Sequence, residues 1–328
     1  MPQNETLLFV LFGVFVLAML ALDLGVFHRK AHAVGMKEAA AWSTAWVALS
    51  LLFNLGLFFW VKSNTGNVEE ATKVGLEFLT AYLIEKALSV DNIFVFILIF
   101  SYFGVPSQYH HKVLFWGVIG ALIMRFVFIA TGAVLIQRFE WILYIFGAIL
   151  LVSGWKMMMH KEIEVHPEKN FFIRIARRLF PVESGYESQK FIVKKNGKIF
   201  ITPLLLVLIT VETTDVVFAV DSIPAVFGVT RDPFIDYSSN VFAILGLRDL
   251  YFLLANVMNK FFYLSYGLSI VLMFIGAKML IADFLHIPIQ ASLIIVASIL
   301  TISVGASLYR NRLAGSKKTS DDQNRGTS

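Results

Sequence analysis

Apolar stretches of a bilayer's length recur along this chain, separated by short polar connections, and they leave it few ways to fold. Hydrocarbon offers no water to a backbone N–H or C=O, so a spanning segment is a helix or a strand of a closed barrel. A spanning helix needs roughly 20 residues, and a barrel strand about half that. We place nine runs of helical length, at about 6–27, 43–61, 75–103, 113–136, 139–159, 202–227, 237–257, 262–282 and 287–309. The expected fold class is an all-α polytopic membrane protein with about nine transmembrane helices. Composition agrees, since 16% of the residues are charged against about 25% in soluble domains. Residues 1–314 read as one transmembrane domain, and the short polar tail 315–328 is expected to be disordered.

Basic residues set the orientation, because Lys and Arg accumulate on the cytoplasmic side. With the N-terminus outside, 19 of the 28 Lys and Arg lie inside, four outside and five within spans. The chain is therefore expected to run N-outside, C-inside, with the loop 160–200 inside and Asp236 in an outside loop. The net charge of +5 then belongs to the membrane surface and the lipid bilayer, with no role for nucleic acid. The first run has no basic leader, carries Asp23 and stops at Arg29-Lys30, so it reads as a retained span instead of a cleaved signal.

Acids punctuate these apolar runs. Glu85-Lys86-Ala87-Leu88-Ser89-Val90-Asp91-Asn92-Ile93 lies in the third, and Asp215-Val216-Val217-Phe218-Ala219-Val220-Asp221-Ser222-Ile223 in the sixth. Both read acid, five residues, Asp, small polar residue, Ile. Leu122-Ile123-Met124-Arg125 similarly matches Leu245-Gly246-Leu247-Arg248, and Gly154-Trp155-Lys156-Met157 matches Gly276-Ala277-Lys278-Met279. The offsets of 130, 123 and 122 residues define two copies, about 75–159 and 202–282. Each holds three spans, an odd number, so the copies are expected to be inverted, as in many secondary transporters.

A carboxylate in hydrocarbon costs about 2.5–3.5 kcal/mol even on the lenient insertion scale. Glu85, Asp91, Glu212, Asp215 and Asp221, with Asp23 in the first span, therefore need partners. Lys86, Arg125 and Arg248 could pair with some of them, Asp249 included, but three bases cannot neutralise all. Glu212 and Asp215 share a helical face. Glu85/Asp91 and Asp215/Asp221 diverge by about 240° on a straight helix, so one cavity collects them only if the helices break. Pro224 is expected to break the sixth span. Asn92, Ser222, Ser89, Thr213 and Thr214 add neutral oxygens. The seven histidines fall at loops and span ends and the chain has no cysteine, which leaves an oxygen site suited to Mg²⁺, Ca²⁺ or Mn²⁺. Met157-Met158-Met159-His160 could suggest a soft metal but reads as packing near a helix end.

Enzyme motifs are absent: no H-E-x-x-H, no Gly-x-Gly-Asp and no phosphate loop. No enzyme activity and no resident cofactor are expected. Phe171–Phe180 mixes aromatic and basic residues like an interfacial helix, and 191–201 reads as a hairpin around Asn196-Gly197.

These residues carry a family resemblance. Tyr82-Leu83-Ile84-Glu85-Lys86-x-Leu88-x-Val90-Asp91-Asn92, Val211-Glu212-x-x-Asp215-Val216-x-Phe218-Ala219-Val220-Asp221-Ser222-Ile223-Pro224-Ala225, Asp232-Pro233-Phe234, Asn240-x-Phe242-Ala243-Ile244-Leu245-Gly246-Leu247-Arg248 and Ile275-Gly276-x-Lys278-Met279 resemble the TerC family of integral membrane proteins, in its Alx-like branch. The resemblance covers roughly residues 10–310. It implies a bacterial inner-membrane protein, tied to tellurium resistance in name and to manganese export in function, whose membrane acids are Asp23, Glu85, Asp91, Glu212, Asp215 and Asp221. Some members are linked instead to metal loading or assembly of client proteins. The resulting expectation is a secondary transporter that exports Mn²⁺. Its metal ligands would be Glu85, Asp91, Asn92, Glu212, Asp215, Asp221 and Ser222, with Asp23 in support or carrying a proton.

Overall fold

The computed structural model describes residues 5–22, 35–159, 168, 170–183, 185–186, 190–195, 197–255, 263–285 and 287–325, without the side chains of Glu5, Thr6 and 311–325. Among them are eleven helices and one hairpin. The helices are α1 (Glu5–Leu22), α2 (Met36–Thr65), α3 (Val68–Tyr102), α4 (Ser107–Arg138), α5 (Ile142–Met159), α6 (Phe171–Leu179), α7 (Pro203–Phe227), α8 (Pro233–Leu245), α9 (Leu247–Ala255), α10 (Leu264–Leu280) and α11 (Ile289–Arg325). Strands β1 (Ile192–Lys195) and β2 (Lys198–Ile201) pair antiparallel, and Gly197 takes the positive φ of 77° that the tight turn requires.

Helices stand where the nine apolar runs were expected. Among the described residues five helices are long and apolar enough to cross a membrane, and α8 with α9, bent by 41°, adds a sixth if the pair is one broken span. Helices α1 and α10 are apolar but shorter. Helix α3 is the longest helix with fully described side chains, and Glu85, Lys86 and Asp91 in its middle keep it out of the purely apolar class. The polarity is that of a membrane protein. Phe59, Ile123, Phe126, Val127 and Val134 face outward, while Glu85, Arg125, Asp236, Asn240 and Asp249 are buried. Helix α11 is assigned from Ile289 through Arg325, into the polar stretch 315–328.

Local signals explain the ends. Helix α2 stops at Gly66, whose φ of 66° lets its N–H return to the Lys62 carbonyl. Asn67 then caps α3 by accepting from Glu69 N and Glu70 N, and Asp232 caps α8 ahead of Pro233 in the same way. The break expected at Pro224 is not there. Helix α7 runs unbroken past both acids and through Pro224 to Phe227; the proline forgoes the one N–H bond to the Val220 carbonyl, and the helix ends three residues later. The break lies instead at Gly246, between α8 and α9.

Helix α3 packs on α8 and α4 on α7, and α5 packs along α10. Two inverted copies would make this reciprocal set of contacts. The α5–α10 seam is held by small residues, which let backbones approach where lipid gives no hydrophobic drive. A Cβ on Gly276 would lie 2.7 Å from the Gly147 carbonyl oxygen, and one on Gly154 would lie 2.7 Å from the Ser269 carbonyl oxygen. Gly276→Val is accordingly expected to cost about 1–3 kcal/mol, lowering the melting temperature of purified protein. An unchanged melt would mean that the seam is looser than these distances.

Candidate cation site

Because α3 is unbroken, Glu85 and Asp91 leave it in different directions. Glu85 points between α4 and α8. There Arg125 Nη1 donates both to Glu85 Oε1 and to Asn240 Oδ1. Asn240 Nδ2 in turn donates to Asp236 Oδ1 at 3.1 Å. Asp215 reaches the same region from α7 and lies in the field of Arg125. The result is a polar cage of Glu85, Arg125, Asp215, Asp236 and Asn240 in which every member is buried. Glu85 Oε2, Asp215 Oδ2 and Asp236 Oδ2 make no hydrogen bond to protein.

The other acids lie apart from this cage. Asp91 accepts from the Ser265 hydroxyl of α10 at 3.2 Å, and Asp221 accepts from the Ser153 hydroxyl of α5 at 2.6 Å, within the field of Lys156. Asn92 and Ser222 are buried beside them in sequence, and Ser222 Oγ has no protein partner. Glu212 is half-buried and lies against Gly120, where any Cβ would collide with its carboxylate. Asp23 lies outside the described residues.

This corrects the expectation of one converging ligand set. Among the described residues, no three His, Asp or Glu side chains come within reach of a single ion. The reason is geometric: α3 and α7 are continuous through their acids, so acids six residues apart stay about 240° apart.

Structural pairing accounts for part of the charge. Arg125 pairs with Glu85. Arg248 Nη2 donates to Asp249 at 3.3 Å, and Trp46 Nε1 donates to the same carboxylate at 3.0 Å. Lys86 lies in the field of Asp249 and donates to the Ala243 carbonyl at 3.4 Å. That carbonyl is near the α8 break. Gly246 leaves room for the lysine tip, since a Cβ there would lie 2.7 Å from Lys86 Nζ and would make it shift.

Asp236 is the residue that sequence reasoning placed wrongly. It was expected in an outside loop open to solvent, but α8 begins at Pro233 and buries it completely. A signal was present: Asp236 and Asn240 are four apart, one helical face.

Beside Glu212 a groove of about 1360 Å³ separates α6 from α7, lined by Phe172, Ile175, Leu179, Leu205, Ile209 and Val217 among others. Asn170, which caps α6, donates to Thr213 Oγ1 at 2.6 Å. Phe171, Phe172 and Leu179 of α6 are exposed, with Arg174, Arg177 and Arg178 beside them, the composition of a helix lying in a membrane interface.

A family model described as "Integral membrane protein TerC family" matches residues 70–314, the span that holds the whole cage. The chain belongs to the TerC family. It is 52% identical over 293 residues to an Escherichia coli K12 protein, covering 89% of this chain and 91% of the other. It is 51% identical over 301 residues to a Salmonella typhi protein, covering 92% and 93%. The names of both include the words "membrane-bound redox modulator Alx". A membrane protein of Myxococcus xanthus is 48% identical over 303 residues, covering 92% of each chain. No solved structure matches.

The Arg125–Glu85 pair predicts a compensation pattern. Arg125→Met leaves Glu85 buried without its counter-charge, at a cost of about 3–5 kcal/mol, and is expected to abolish a monodisperse folded peak in detergent. Adding Glu85→Gln is expected to restore most of it. A double variant no better than the single one would mean that the two residues do not act as a pair.

Proposed function

We propose that this chain is a secondary transporter that exports Mn²⁺, or a similar hard divalent cation, from the cytoplasm. It would sit in the inner membrane with nine spans, N-terminus outside and C-terminus inside, built on the inverted repeat of 75–159 and 202–282. One observation carries the reading: among the described residues the buried carboxylates outnumber the buried bases, and three of their oxygens in the cage lack any hydrogen bond to protein. A buried polar atom left without a partner is expensive, and intramembrane acids of this kind mark ion pathways by default.

Arg125 acts as a tethered cation in this scheme. It holds Glu85 and Asn240 while Asp215 and Asp236 stand beside it, and an incoming ion would take over that charge balance. The donors are carboxylate, amide and hydroxyl oxygens, which favour Mn²⁺, Ca²⁺ and Mg²⁺ over softer metals. Manganese is chosen among them on the family resemblance. Asp91 with Asn92, and Asp221 with Ser222, would form stations on either side of the cage. Glu212 stands at the groove beside α6, and Asp23 would support the site or carry protons.

The relatives' names speak of redox. Thiol–disulfide exchange needs cysteine, which this sequence lacks, so a redox effect here would run through the metal. The second reading is a membrane accessory factor that loads metal into exported client proteins or assembles them. Proteoliposomes separate the two, since a transporter moves Mn²⁺ alone and an accessory factor needs its client. Asp91→Asn, Asp215→Asn, Asp221→Asn and Asp236→Asn keep volume but remove charge, and each is expected to cut Mn²⁺ flux at least tenfold with the protein folded. If all four match the parent, the acids are structural and the transport reading is wrong.

A further inference from the structure

Within the repeat, some helix pairs keep a common register and others do not. The offset of 130 residues relates α3 to α7, 123 relates α4 to α8, and 122 relates α5 to α10. Gly120 against Glu212, on α4 and α7, then has its counterpart in Ala243 beside Tyr82. The structure has Phe78 against Phe242 and Lys86 on the Ala243 carbonyl, within about one turn. The registers of α3 on α8 and of α4 on α7 therefore match within about one turn, although the Glu85–Arg125 pair is not repeated: Asp215 also lies in the field of Arg125, and Arg248 donates to Asp249.

Helices α5 and α10 depart from it. The counterpart of Asp91–Ser265 on α3 and α10 is Asp221 facing Leu143. Instead Asp221 meets Ser153, ten residues further along α5, or about 15 Å at 1.5 Å per residue. Separate contacts agree. Glu77 lies in the longer-range field of Lys278, which is compatible with the α3–α10 register of Asp91–Ser265. Phe146 stacks on Phe227 with ring centroids 6.1 Å apart, on the same α5–α7 register as Ser153–Asp221.

Half of the offset falls on each helix, about 7 Å, and in both cases the helix lies nearer the membrane face that carries residues 139–141. The two displacements thus share one direction, as expected of a single body. The backbone contacts of Gly147, Gly154 and Gly276 fasten α5 to α10 as such a body, and packed elements of this kind shift as units.

We propose that α5 and α10 slide together along α3 and α7, and that this structure is one of two end states that exchange the roles of the repeats. In the other state the pair lies about 15 Å nearer the opposite membrane face. Ser153 and Ser265 then leave Asp221 and Asp91, and Ile97 meets Leu268 as the counterpart of Phe227 meeting Phe146. This deepens the transport reading by giving the acids alternating access, and it rests on that reading only for its purpose.

The sequence has no cysteine, so introduced pairs report alone. Phe146→Cys with Phe227→Cys reports the present state, and Ile97→Cys with Leu268→Cys the other. Ile97→Cys with Ile270→Cys controls for chance collision, because Ile270 is exposed and Leu268 buried. In native membranes with no added Mn²⁺, a short bifunctional thiol reagent is expected to link both reporting pairs well above the control. If the first pair links and the second stays at the control level, the offset is a fixed asymmetry and the sliding unit is wrong. If the first also fails, the registers themselves are wrong. Both readouts are independent of cargo: a protein that links both pairs yet moves no Mn²⁺ keeps the sliding unit and loses the transport reading.

Discussion

The guanidinium of Arg125 organises the centre of this molecule. It joins Glu85 of α3 to Asn240 of α8, stands in the field of Asp215 of α7, and is itself fixed in α4. A buried charge is tolerated only when paired and hydrogen-bonded, so four helices must meet around it in one arrangement. A purely apolar bundle in lipid would lack that constraint, since lipid is as apolar as leucine and only packing and polar contacts select partners. The same interaction leaves a surplus. One arginine cannot satisfy Glu85, Asp215 and Asp236 together, and the remaining oxygens are those on which the proposed function stands.

Around the cage, two kinds of helix contact divide the labour. Helices α3, α4, α7 and α8 interlock through charged and amide side chains, which fixes their register. Helices α5 and α10 reach the acids of α3 and α7 through the hydroxyls of Ser153 and Ser265, with Lys156 and Lys278 in the fields of Asp221 and Glu77, and their own seam is made of glycine against backbone. Serine hydroxyls are exchanged at little cost for other hydroxyls or water. The division between an anchored unit and a sliding one follows from where the strong hydrogen bonds lie.

Much of this was legible in the sequence. The apolar runs located the helices, the hairpin formed where Asn196-Gly197 implied it, and the amphipathic stretch after Asn170 became α6. Of the acids, Glu85, Asp91 and Asp215 are buried, and Glu212 and Asp221 are half-buried. What failed was their convergence, because whether a helix breaks depends on where a proline sits in its last turns. Pro224 lies within the last turn of α7 and is absorbed, while Gly246, an unremarkable residue in sequence, carries the 41° bend. Asp236 was misplaced for a related reason: it lies only four residues after the cap Asp232, and the few polar residues that open α8 look like loop. The pairing of Arg125 with Glu85 spans 40 residues and that of Arg125 with Asn240 spans 115. No local pattern encodes such a choice among Lys86, Arg125 and Arg248.

The central claim is that a hard cation binds at the surplus buried oxygens, which draw closer around it than they stand in this structure. Electron paramagnetic resonance of Mn²⁺ titrated into purified, cysteine-free protein tests it directly. The account predicts that the six-line signal of free Mn²⁺ is lost on binding, and that the bound ion shows no nitrogen coupling from imidazole, because the cage offers oxygen ligands and no histidine. A free-ion signal that persists at any protein concentration, or a bound ion coordinated by imidazole nitrogen, would contradict it.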